Sequence, residues 1–401
     1  MKRYFIVRLI TSILFLIILF SYAVINFSFA LKPLKNTIVN MKLTSLKSNI
    51  NAINSIIDDN IVGKYKMIDG FGYLQKLMDK NEESNFEVVK DTEGSLHYTY
   101  FATGANKVND LADRLARLKN EIDNKKTQVI ALMPPDKYIR GYTKFPKGIP
   151  YSYANETADN YLKSVRKHEI KTFDFRKNLL KSGIPADQLF YKTDHHWKIQ
   201  TAFWAYQQLV GYLNHENNAK LDQHKYYTNL KNYNQITYKH SYLGSMGTKA
   251  GPLYAGIDDF TLIYPKFKTD FDFRINDKDY KIHTQGRFEE ALINARPFYQ
   301  KGSDQLFALE SNQYFSYLYG NHGLVHITNK QNPNGPKVLF IKDSLSVPLA
   351  AFLANVCSNV YLVDPRYYHD SIPNLINKEN KLDYVFMSVY PQNLTNEFFP
   401  F

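Results

Sequence analysis

Residues 191–197 hold the densest group of acid–base side chains in the chain, because Asp194, His195 and His196 are consecutive and Trp197 follows them. Imidazole exchanges protons near neutral pH more readily than any other side chain. In extended or turn backbone, side chains two residues apart point the same way. We therefore expect Asp194 to accept a hydrogen bond from one ring nitrogen of His196, leaving the other nitrogen to act as a general base.

A serine far downstream supplies the nucleophile that such a base would need. Residues 338–344 read Val-Leu-Phe-Ile-Lys-Asp-Ser, which predicts a buried strand that ends near Ser344, with a helix beginning soon after. A strand–turn–helix exposes a hydroxyl at the edge of a sheet, and the first amides of the helix can stabilise an oxyanion. Asp194, His196 and Ser344 are the predicted catalytic triad. His195 is assigned a supporting part, although the two histidines could exchange roles.

Each of these residues also has an ordinary structural explanation. Thr193 or Asp194 could simply cap the following helix while both histidines lie at the surface, and a serine at a helix entrance is commonly an N-cap. Ser346 is the better candidate for that ordinary cap. The catalytic interpretation is preferred because the cluster follows a predicted strand and sits beside Trp197, with a suitable serine elsewhere.

Alternating strand and helix patterns surround both motifs. They predict strands at residues 127–133, 170–175, 188–191, 337–341, 359–363 and 384–389, and helices at 155–167, 347–356 and 372–377. Asn109 is predicted to cap a further helix. This alternation predicts a doubly wound, mainly parallel sheet, in which chemistry gathers at the carboxyl ends of the strands. Residues 226–331, which are rich in Tyr, Lys, Asn and Asp, are predicted to form an inserted β-rich lobe.

The N-terminal residues indicate the compartment. Lys2, Arg3 and Arg8 precede a nearly charge-free run over residues 9–31, which exceeds the roughly 20 residues that a bilayer requires. Positive charge at this end predicts a cytoplasmic N-terminus with the remainder outside the membrane. The length of the run favours a retained anchor, with a cleaved signal peptide ending near residue 30 as the alternative.

The apolar N-terminal run and the strand and helix patterns together predict the domain organisation. Residues 1–31 are expected to form a transmembrane helix, residues 32–60 a helical stalk, and residues 61–401 an α/β domain that contains the inserted lobe. Residues 244–248 (Gly-Ser-Met-Gly-Thr) could approach the site from the lobe, although a plain turn also explains them.

Composition and net charge narrow the classes of molecule that the chain could bind. The 401-residue chain is 44% hydrophobic, which supports a proper core, and its net charge is +12. No nucleic-acid partner is expected, because zinc-knuckle spacing, RNA-binding aromatic motifs and basic helices are missing from the sequence. Anionic wall polymers or lipid headgroups explain the charge equally well. The 31 tyrosines and 27 phenylalanines suit a glycan partner. The single cysteine, Cys357, excludes an internal disulfide and is expected in the core.

Together these motifs resemble a known family. The pattern Tyr191-x-Thr193-Asp194-x-His196-Trp197 is similar to the signature of the alginate O-acetyltransferase (AlgJ/AlgX-like) proteins. The Asp-His-His-Trp form resembles that of the DHHW proteins of Gram-positive bacteria. The resemblance extends to Ile341-Lys342-Asp343-Ser344 and Asp364-Pro365-Arg366-Tyr367. The Gly-x-Asn segment of ordinary SGNH hydrolases has no clear counterpart, so that part of the oxyanion hole is unassigned.

The resemblance implies an SGNH-hydrolase-like (flavodoxin-like) α/β fold with the triad in permuted order. It further implies that Ser344 is acylated and passes the acyl group to a hydroxyl of a cell-wall or extracellular polysaccharide. The acyl group would be supplied by a multi-spanning membrane acyltransferase. Arg366, Tyr367, His195 and Trp197 are expected to bind substrate, with a salt bridge for Arg366 and a packed ring for Tyr367 as the structural alternatives. No cofactor and no metal are expected.

Two other functions remain open at this stage. Asp-His-His also occurs in metal-dependent phosphoesterases, but such a site needs further acidic or imidazole ligands, for which only Asp258-Asp259 and His369-Asp370 are candidates. A non-catalytic glycan-binding or scaffold protein would also suit the aromatic composition and the insert. The acyl group, the acceptor, and the choice between transfer and hydrolysis cannot be predicted from the sequence.

Overall fold

The computed structural model describes residues 2–39, 46–100, 102–149, 152–277, 280–298, 312–379 and 381–401. The chain divides into two compact units, Met1–Gly70 and Phe71–Phe401. The first unit contains helices α1 (Lys2–Val39) and α2 (Leu46–Asp59). Helix α1 is long and apolar enough to cross a membrane, which fits a membrane anchor or a signal sequence.

The second unit is built from strands and helices in alternation. Its strands are β1 (Glu82–Glu83), β2 (Val88–Lys90), β3 (Leu96–Tyr98), β4 (Gln128–Met133), β5 (Lys171–Asp174), β6 (Tyr233–Tyr242), β7 (Asp258–Pro265), β8 (Phe271–Asn276), β9 (Lys281–Gly286), β10 (Leu324–Asn329), β11 (Lys337–Lys342), β12 (Asn359–Val363) and β13 (Tyr384–Ser388). The remaining helices are α3 (Lys64–Leu77), which begins in the first unit, α4 (Asn109–Glu121), α5 (Ala154–Lys167), α6 (Ile199–Asn217), α7 (Ser245–Ala250), α8 (Pro252–Ala255), α9 (Phe288–Ala291), α10 (Ser346–Leu353) and α11 (Ile372–Lys378).

The central sheet has the strand order β5-β4-β13-β11-β12-β10-β8-β9. The first five of these strands are parallel, and the last three continue the sheet in antiparallel pairs. The sheet is therefore mixed but mainly parallel, as the sequence predicted. Its parallel half aligns the carboxyl ends of β4, β13 and β11 at one edge, the edge where open α/β sheets place their chemistry.

The near-continuous apolar sequence of β11 follows from burial on both faces. Val338 and Phe340 point to one face, where they pack in a cluster with α6 and α10. Leu339 and Ile341 point to the other face and join α4, α5 and α11. Helices that cover both faces of the sheet are the doubly wound arrangement. Cys357 lies in the first cluster as a buried free thiol.

The stretch 226–331 is not wholly a separate lobe. Strands β6 and β7 form a two-stranded ribbon of their own, but β8, β9 and β10 extend the central sheet through the pairing of β10 with β12. This continuation rests on long-range antiparallel hydrogen bonds. Local periodicity does not report such bonds, so the sequence predicted a β-rich insert here and not an extension of the central sheet.

Three local predictions were wrong. Residues 188–191 form no ladder strand; Phe190 makes only an isolated bridge with Trp197. Asn109 lies inside α4 and accepts a hydrogen bond from the Ser164 hydroxyl, without capping the helix. Ser346 is also no cap, because its hydroxyl pairs with Ser388 on the neighbouring strand at 2.7 Å.

Candidate active site

Ser344 lies in the turn between β11 and α10, where the parallel strands end. Its Oγ is 2.7 Å from Nε2 of His196, and Nδ1 of the same imidazole is 2.8 Å from Oδ2 of Asp194. All three side chains are nearly excluded from solvent. The structure thus brings together the three residues that were predicted to form the triad, in the order in which a proton relay would use them.

The protonation of this group follows from its burial. Burial alone would raise the pKa of Asp194, but the two adjacent imidazoles and their hydrogen bonds outweigh it and hold that pKa well below its usual range. Burial also lowers the pKa of His196 to about 4, against the opposing pull of Asp194. His196 is therefore neutral at pH 7. Its Nδ1–H donates to the carboxylate of Asp194, and its Nε2 is free to accept the proton of Ser344.

The loop that carries Asp194 and His196 is held by a buried lysine that the sequence analysis missed. Nζ of Lys137 donates to the main-chain carbonyls of Tyr191, Lys192 and Asp194, at 2.6, 3.0 and 2.8 Å. A bridge between Phe190 and Trp197 closes the base of the loop. These contacts replace the strand that was predicted there. They satisfy carbonyls that would otherwise be buried without donors.

The carboxylate of Asp194 is surrounded by donors from other parts of the chain. Oδ1 accepts from the His195 amide at 2.7 Å and from the Ser245 hydroxyl at 2.8 Å, and Oδ2 accepts from the hydroxyl of Tyr242 as well as from His196. Tyr242 ends β6 and Ser245 begins α7, so the ribbon and the short helix after it orient the acid. Residues 244–248 therefore approach the triad through its acid.

Glycine is required at position 244 by close approach. A Cβ there would lie 2.1 Å from Cβ of Asp194, far inside van der Waals contact. The amide of Gly244 donates to Oγ1 of Thr193 at 2.9 Å, which fastens the two segments side by side. A tight backbone approach of this kind is a reason for glycine that local sequence pattern cannot supply.

Asp343 and Trp197 shape the turn that carries Ser344. Oδ1 of Asp343 accepts from the amide of Leu345 at 3.0 Å, and Oδ2 accepts from the amide of Tyr390 at 2.7 Å. Nε1 of Trp197 donates to the carbonyl of Leu345 at 3.1 Å. The prediction that Trp197 contacts substrate was therefore wrong: its indole is fully buried, and its N–H supports the turn from inside the core.

His195 lies beside the relay on the same carboxylate. Its Nδ1 is 3.0 Å from Oδ1 of Asp194 and 3.1 Å from Oγ of Ser245, and its ring stacks against Tyr390. About a fifth of its side chain is exposed, in contrast to the buried His196. His195 is thus the member of the cluster that solvent or substrate can reach.

Arg366 and Tyr367 follow β12 at the same edge of the sheet. The guanidinium of Arg366 donates to both oxygens of Asp364, at 2.9 and 2.7 Å, and Lys342 donates to the same carboxylate at 2.9 Å. Tyr367 is about half exposed, with its ring beneath the Arg366 guanidinium. The predicted salt bridge of Arg366 is present, and one quarter of its side chain still faces solvent.

Among the described residues, the cluster that could hold a metal ion is Asp194, His195 and His196, whose ligand atoms lie within 4.8 Å of one another. Two of the further ligands considered from the sequence, Asp258 and Asp259, are engaged in other contacts. Asp258 accepts from the amides of Lys192 and Thr193, and Asp259 pairs with Lys239. The cluster therefore offers three ligands that already serve one another as hydrogen-bond partners.

Comparison with known proteins agrees with this geometry. Residues 96–246 match the family described as the SGNH hydrolase-like domain of the acetyltransferase AlgX. No curated protein sequence matches the chain significantly.

Solved structures share the fold over most of both chains. Bacillus cereus PatB1 with a sulfonyl adduct superposes with a TM-score of 0.62 at 16% identity, covering 78% of this chain and 97% of PatB1. A DHHW family protein from Eubacterium siraeum gives a TM-score of 0.56 at 17% identity, covering 79% and 94%. The chain therefore has an SGNH-hydrolase-like α/β fold, and the resemblance to the AlgX-like and DHHW proteins predicted from its motifs is confirmed.

Proposed function

We propose that the chain is an extracytoplasmic, serine-dependent O-acyltransferase or esterase that acts on a cell-wall or extracellular polysaccharide. One observation carries this proposal: the buried imidazole of His196 bridges the Ser344 hydroxyl and the Asp194 carboxylate at 2.7 and 2.8 Å. This arrangement has the nucleophile, the base and the group that orients the base in contact with one another.

The proposed reaction proceeds in two steps, the acylation of Ser344 and the transfer of the acyl group. Oγ of Ser344 attacks the acyl carbonyl of the donor while its proton passes to Nε2 of His196, and Asp194 stabilises the imidazolium. The tetrahedral oxyanion is assigned to the backbone N–H of Ser344, which donates no hydrogen bond within the described part of the chain. His196 then returns the proton to the leaving group, and acyl-Ser344 forms.

The second half uses the same groups in reverse. A sugar hydroxyl or water gives its proton to His196 and attacks the acyl carbon. The bond from that carbon to Oγ of Ser344 then breaks, and His196 returns the proton to Oγ, which releases the ester or the acid and regenerates Ser344. His195 and Arg366 are partly exposed polar side chains near the triad, and we assign them to substrate. Tyr367 joins them as an exposed aromatic ring for a sugar face.

The similar proteins support the class of reaction. The matching family is named for an acetyltransferase, and PatB1 is described with a sulfonyl adduct, the product expected when a sulfonyl reagent meets an activated nucleophile. As a membrane anchor, helix α1 would keep the protein at the extracytoplasmic side of the cell membrane, where a multi-spanning acyltransferase could supply the acyl group.

The test is turnover of 4-nitrophenyl acetate by the full chain in detergent, with intact-mass detection of sulfonyl fluoride labelling. We expect Ser344→Ala and His196→Ala each to lose about 10³-fold or more of turnover, and Ser344→Ala to lose the label. Ser346→Ala is the matched control, because that buried serine lies two residues away and bonds to Ser388. Unaltered turnover in Ser344→Ala would overturn the proposal.

A metal-dependent hydrolase is the second candidate, because Asp194, His195 and His196 cluster within 4.8 Å. The same assay separates the two functions. Activity that survives Ser344→Ala and disappears with a chelator would establish the metal reaction, whereas chelator-insensitive activity that requires Ser344 would exclude it.

A further inference from the structure

His195 is held in a fixed orientation next to the base of the triad. Its ring packs on the ring of His196, with centroids 3.9 Å apart and planes tilted by 36°, and it stacks on the ring of Tyr390 at 5.9 Å. The ring of Tyr98 flanks it at 5.7 Å. A side chain that packs on three rings has little freedom left to lose when a ligand binds, so His195 is preorganised to hold substrate.

The partners of Nδ1 fix the position of the proton on the His195 ring. Nδ1 lies 3.1 Å from Oγ of Ser245 and 3.0 Å from Oδ1 of Asp194. The Ser245 hydroxyl donates its one proton to Asp194 and accepts from the hydroxyl of Tyr98 at 3.0 Å, and a carboxylate only accepts. Nδ1 therefore faces two acceptors, and an imidazole that carries a single proton must carry it there.

The other ring nitrogen of His195 is left as an open acceptor. With the proton on Nδ1, Nε2 presents a lone pair. This atom meets no hydrogen-bond partner among the described residues, yet it is not shut off from solvent, and one fifth of the side chain is exposed. His195 therefore offers a ligand one hydrogen-bond acceptor at an accessible position beside the triad.

The two histidines together present a pair of acceptors on the far side of their rings from Asp194. Both Nδ1 atoms face the Asp194 carboxylate, at 3.0 Å for His195 and 2.8 Å for His196, so both Nε2 atoms point away from it. Because the ring centroids are only 3.9 Å apart, these Nε2 atoms are close neighbours. Nε2 of His196 contacts Oγ of Ser344 and receives the proton of the attacking hydroxyl when the acyl group is transferred.

Neighbouring hydroxyls of a sugar fit such a pair of acceptors. Adjacent carbons of a sugar ring carry hydroxyl groups side by side, and each hydroxyl can donate one hydrogen bond. When one hydroxyl donates to His196 and attacks, the next hydroxyl can donate to His195 and hold the sugar ring in place. A monohydric alcohol has no second hydroxyl to anchor it, so it should be a poorer acceptor than a diol.

We propose that His195 selects acceptors with two adjacent free hydroxyls, because its Nε2 accepts a hydrogen bond from the hydroxyl next to the one that attacks. The proposal rests on the proposed function and specifies the class of acceptor. It requires no proton transfer at His195, so the steps of the reaction are unchanged. His195 is in this sense a residue that positions the acceptor.

Competition between matched alcohols tests this selection. The full-length protein in detergent cleaves 4-nitrophenyl acetate in the presence of equal amounts of trans-1,2-cyclohexanediol and its monomethyl ether, trans-2-methoxycyclohexanol, which lacks one hydroxyl donor. The cis pair is run alongside, because adjacent hydroxyls of sugars occur in both relations. The acetylated products are quantified by gas chromatography. In at least one pair we expect wild type to acetylate the diol about two- to tenfold faster per hydroxyl, as for one added hydrogen bond.

Three variants assign the preference to Nε2. His195→Phe keeps a ring between its neighbours but removes the acceptor, so it should acetylate the diol and the ether equally per hydroxyl. His195→Gln restores an acceptor oxygen and should recover part of the preference. His215→Phe is the matched control, because His215 is an exposed histidine of α6 that pairs with Glu216, and its preference should equal that of wild type. The ratio of two products from one sample does not depend on the fraction of folded enzyme.

The outcomes separate this inference from the proposed function. If ester cleavage requires Ser344 but wild type acetylates diol and ether equally, or the preference survives in His195→Phe, the inference is wrong and the function stands. Hydrolysis through Ser344 without acetylation of any alcohol also overturns the inference and leaves the esterase form of the function. If cleavage does not require Ser344, the function falls and the inference falls with it.

Discussion

The ammonium nitrogen of Lys137 lies 2.8 Å from the main-chain carbonyl oxygen of Asp194. The same nitrogen reaches the carbonyls of Tyr191 and Lys192, so one side chain fixes the backbone on the N-terminal side of Asp194. None of these contacts involves the side chains of the relay. Lys137 is therefore a positioning residue, which sets where Asp194 and His196 stand without taking part in proton transfer.

Lys137→Met should lower both turnover and stability. Buried carbonyls left without a donor cost about 1–3 kcal/mol each, so we expect Tm to fall by about 3–10 °C and turnover of the acetyl ester by about 10- to 100-fold. Lys137→Arg retains donors and should recover part of the turnover. Lys198→Met is the control, because Lys198 lies in the same segment but its ammonium group donates only to the Gln188 side chain among the described residues. Full activity in Lys137→Met would contradict the role.

Tyr242→Phe should shift the pH dependence of the enzyme. The active form needs neutral His196, whose pKa is lowered to about 4 by burial, so wild-type kcat/KM should persist as the pH falls and decline only near pH 4. Removing the Tyr242 hydroxyl leaves Oδ2 of Asp194 less satisfied and a stronger partner for the imidazolium. That change raises the pKa of His196, so the decline of kcat/KM on the acid side of the pH profile should move to higher pH.

The measurement is kcat/KM for the acetyl ester from pH 3.5 to 8. Tyr161→Phe is the control, because its hydroxyl is also buried but finds no hydrogen-bond partner in the described part of the chain and lies on the opposite face of the sheet. Superimposable profiles for Tyr242→Phe and wild type would show that Tyr242 does not tune the relay.

Gly244→Ala should disable the site through a steric clash. A methyl group there would sit 2.1 Å from Cβ of Asp194, so either the acid or the start of α7 must move. We expect a loss of turnover of about 100-fold or more and a lower Tm, since small displacements of catalytic groups are costly. Gly211→Ala is the matched control: it lies exposed in α6 with open space around its Cα, and it should raise stability slightly. Equal turnover in the two variants would rule out the clash.

That Asp194, His196 and Ser344 lie together was predictable, because the signals for their positions are local. Asp194 and His196 share a short motif, and Ser344 follows an apolar strand whose end must lie at the reactive edge of a parallel sheet. The same logic placed Arg366 at that edge. The alternation of strands and helices likewise predicted the doubly wound core around β11 and β13.

The residues that hold the relay were not predictable, because their contacts depend on tertiary approach. Lys137 and Tyr242 come from distant segments, and a single lysine or tyrosine carries no local sign that it will meet Asp194. The prediction for Trp197 failed for the same reason. An aromatic residue beside a motif can line a substrate site or pack in the core, and only the tertiary contact of its indole N–H with the carbonyl of Leu345 shows that it packs in the core. The extension of the sheet by β8–β10 also needed long-range pairing.

Arg366→Met should lower turnover while leaving the fold intact. Asp364 keeps the buried ammonium of Lys342 at 2.9 Å, so its charge stays neutralised when the guanidinium is removed. If the partly exposed guanidinium orients the acyl carbonyl or the acceptor, kcat/KM should fall about tenfold or more, with a Tm change of only a few degrees. Arg366→Lys should recover little, because an ammonium cannot reproduce the two-pronged contact with Asp364.

The chain supplies a matched control for this substitution. Arg274 follows Asp272 at the same spacing and donates to both of its carboxylate oxygens, but on the far, antiparallel side of the sheet. Arg274→Met removes an equivalent Arg–Asp pair and should leave kcat/KM as in wild type. Parallel losses in both variants, or a large drop in Tm with normal kcat/KM for Arg366→Met, would mean that Arg366 only braces Asp364. A kinetic loss confined to Arg366 would assign its guanidinium to the substrate.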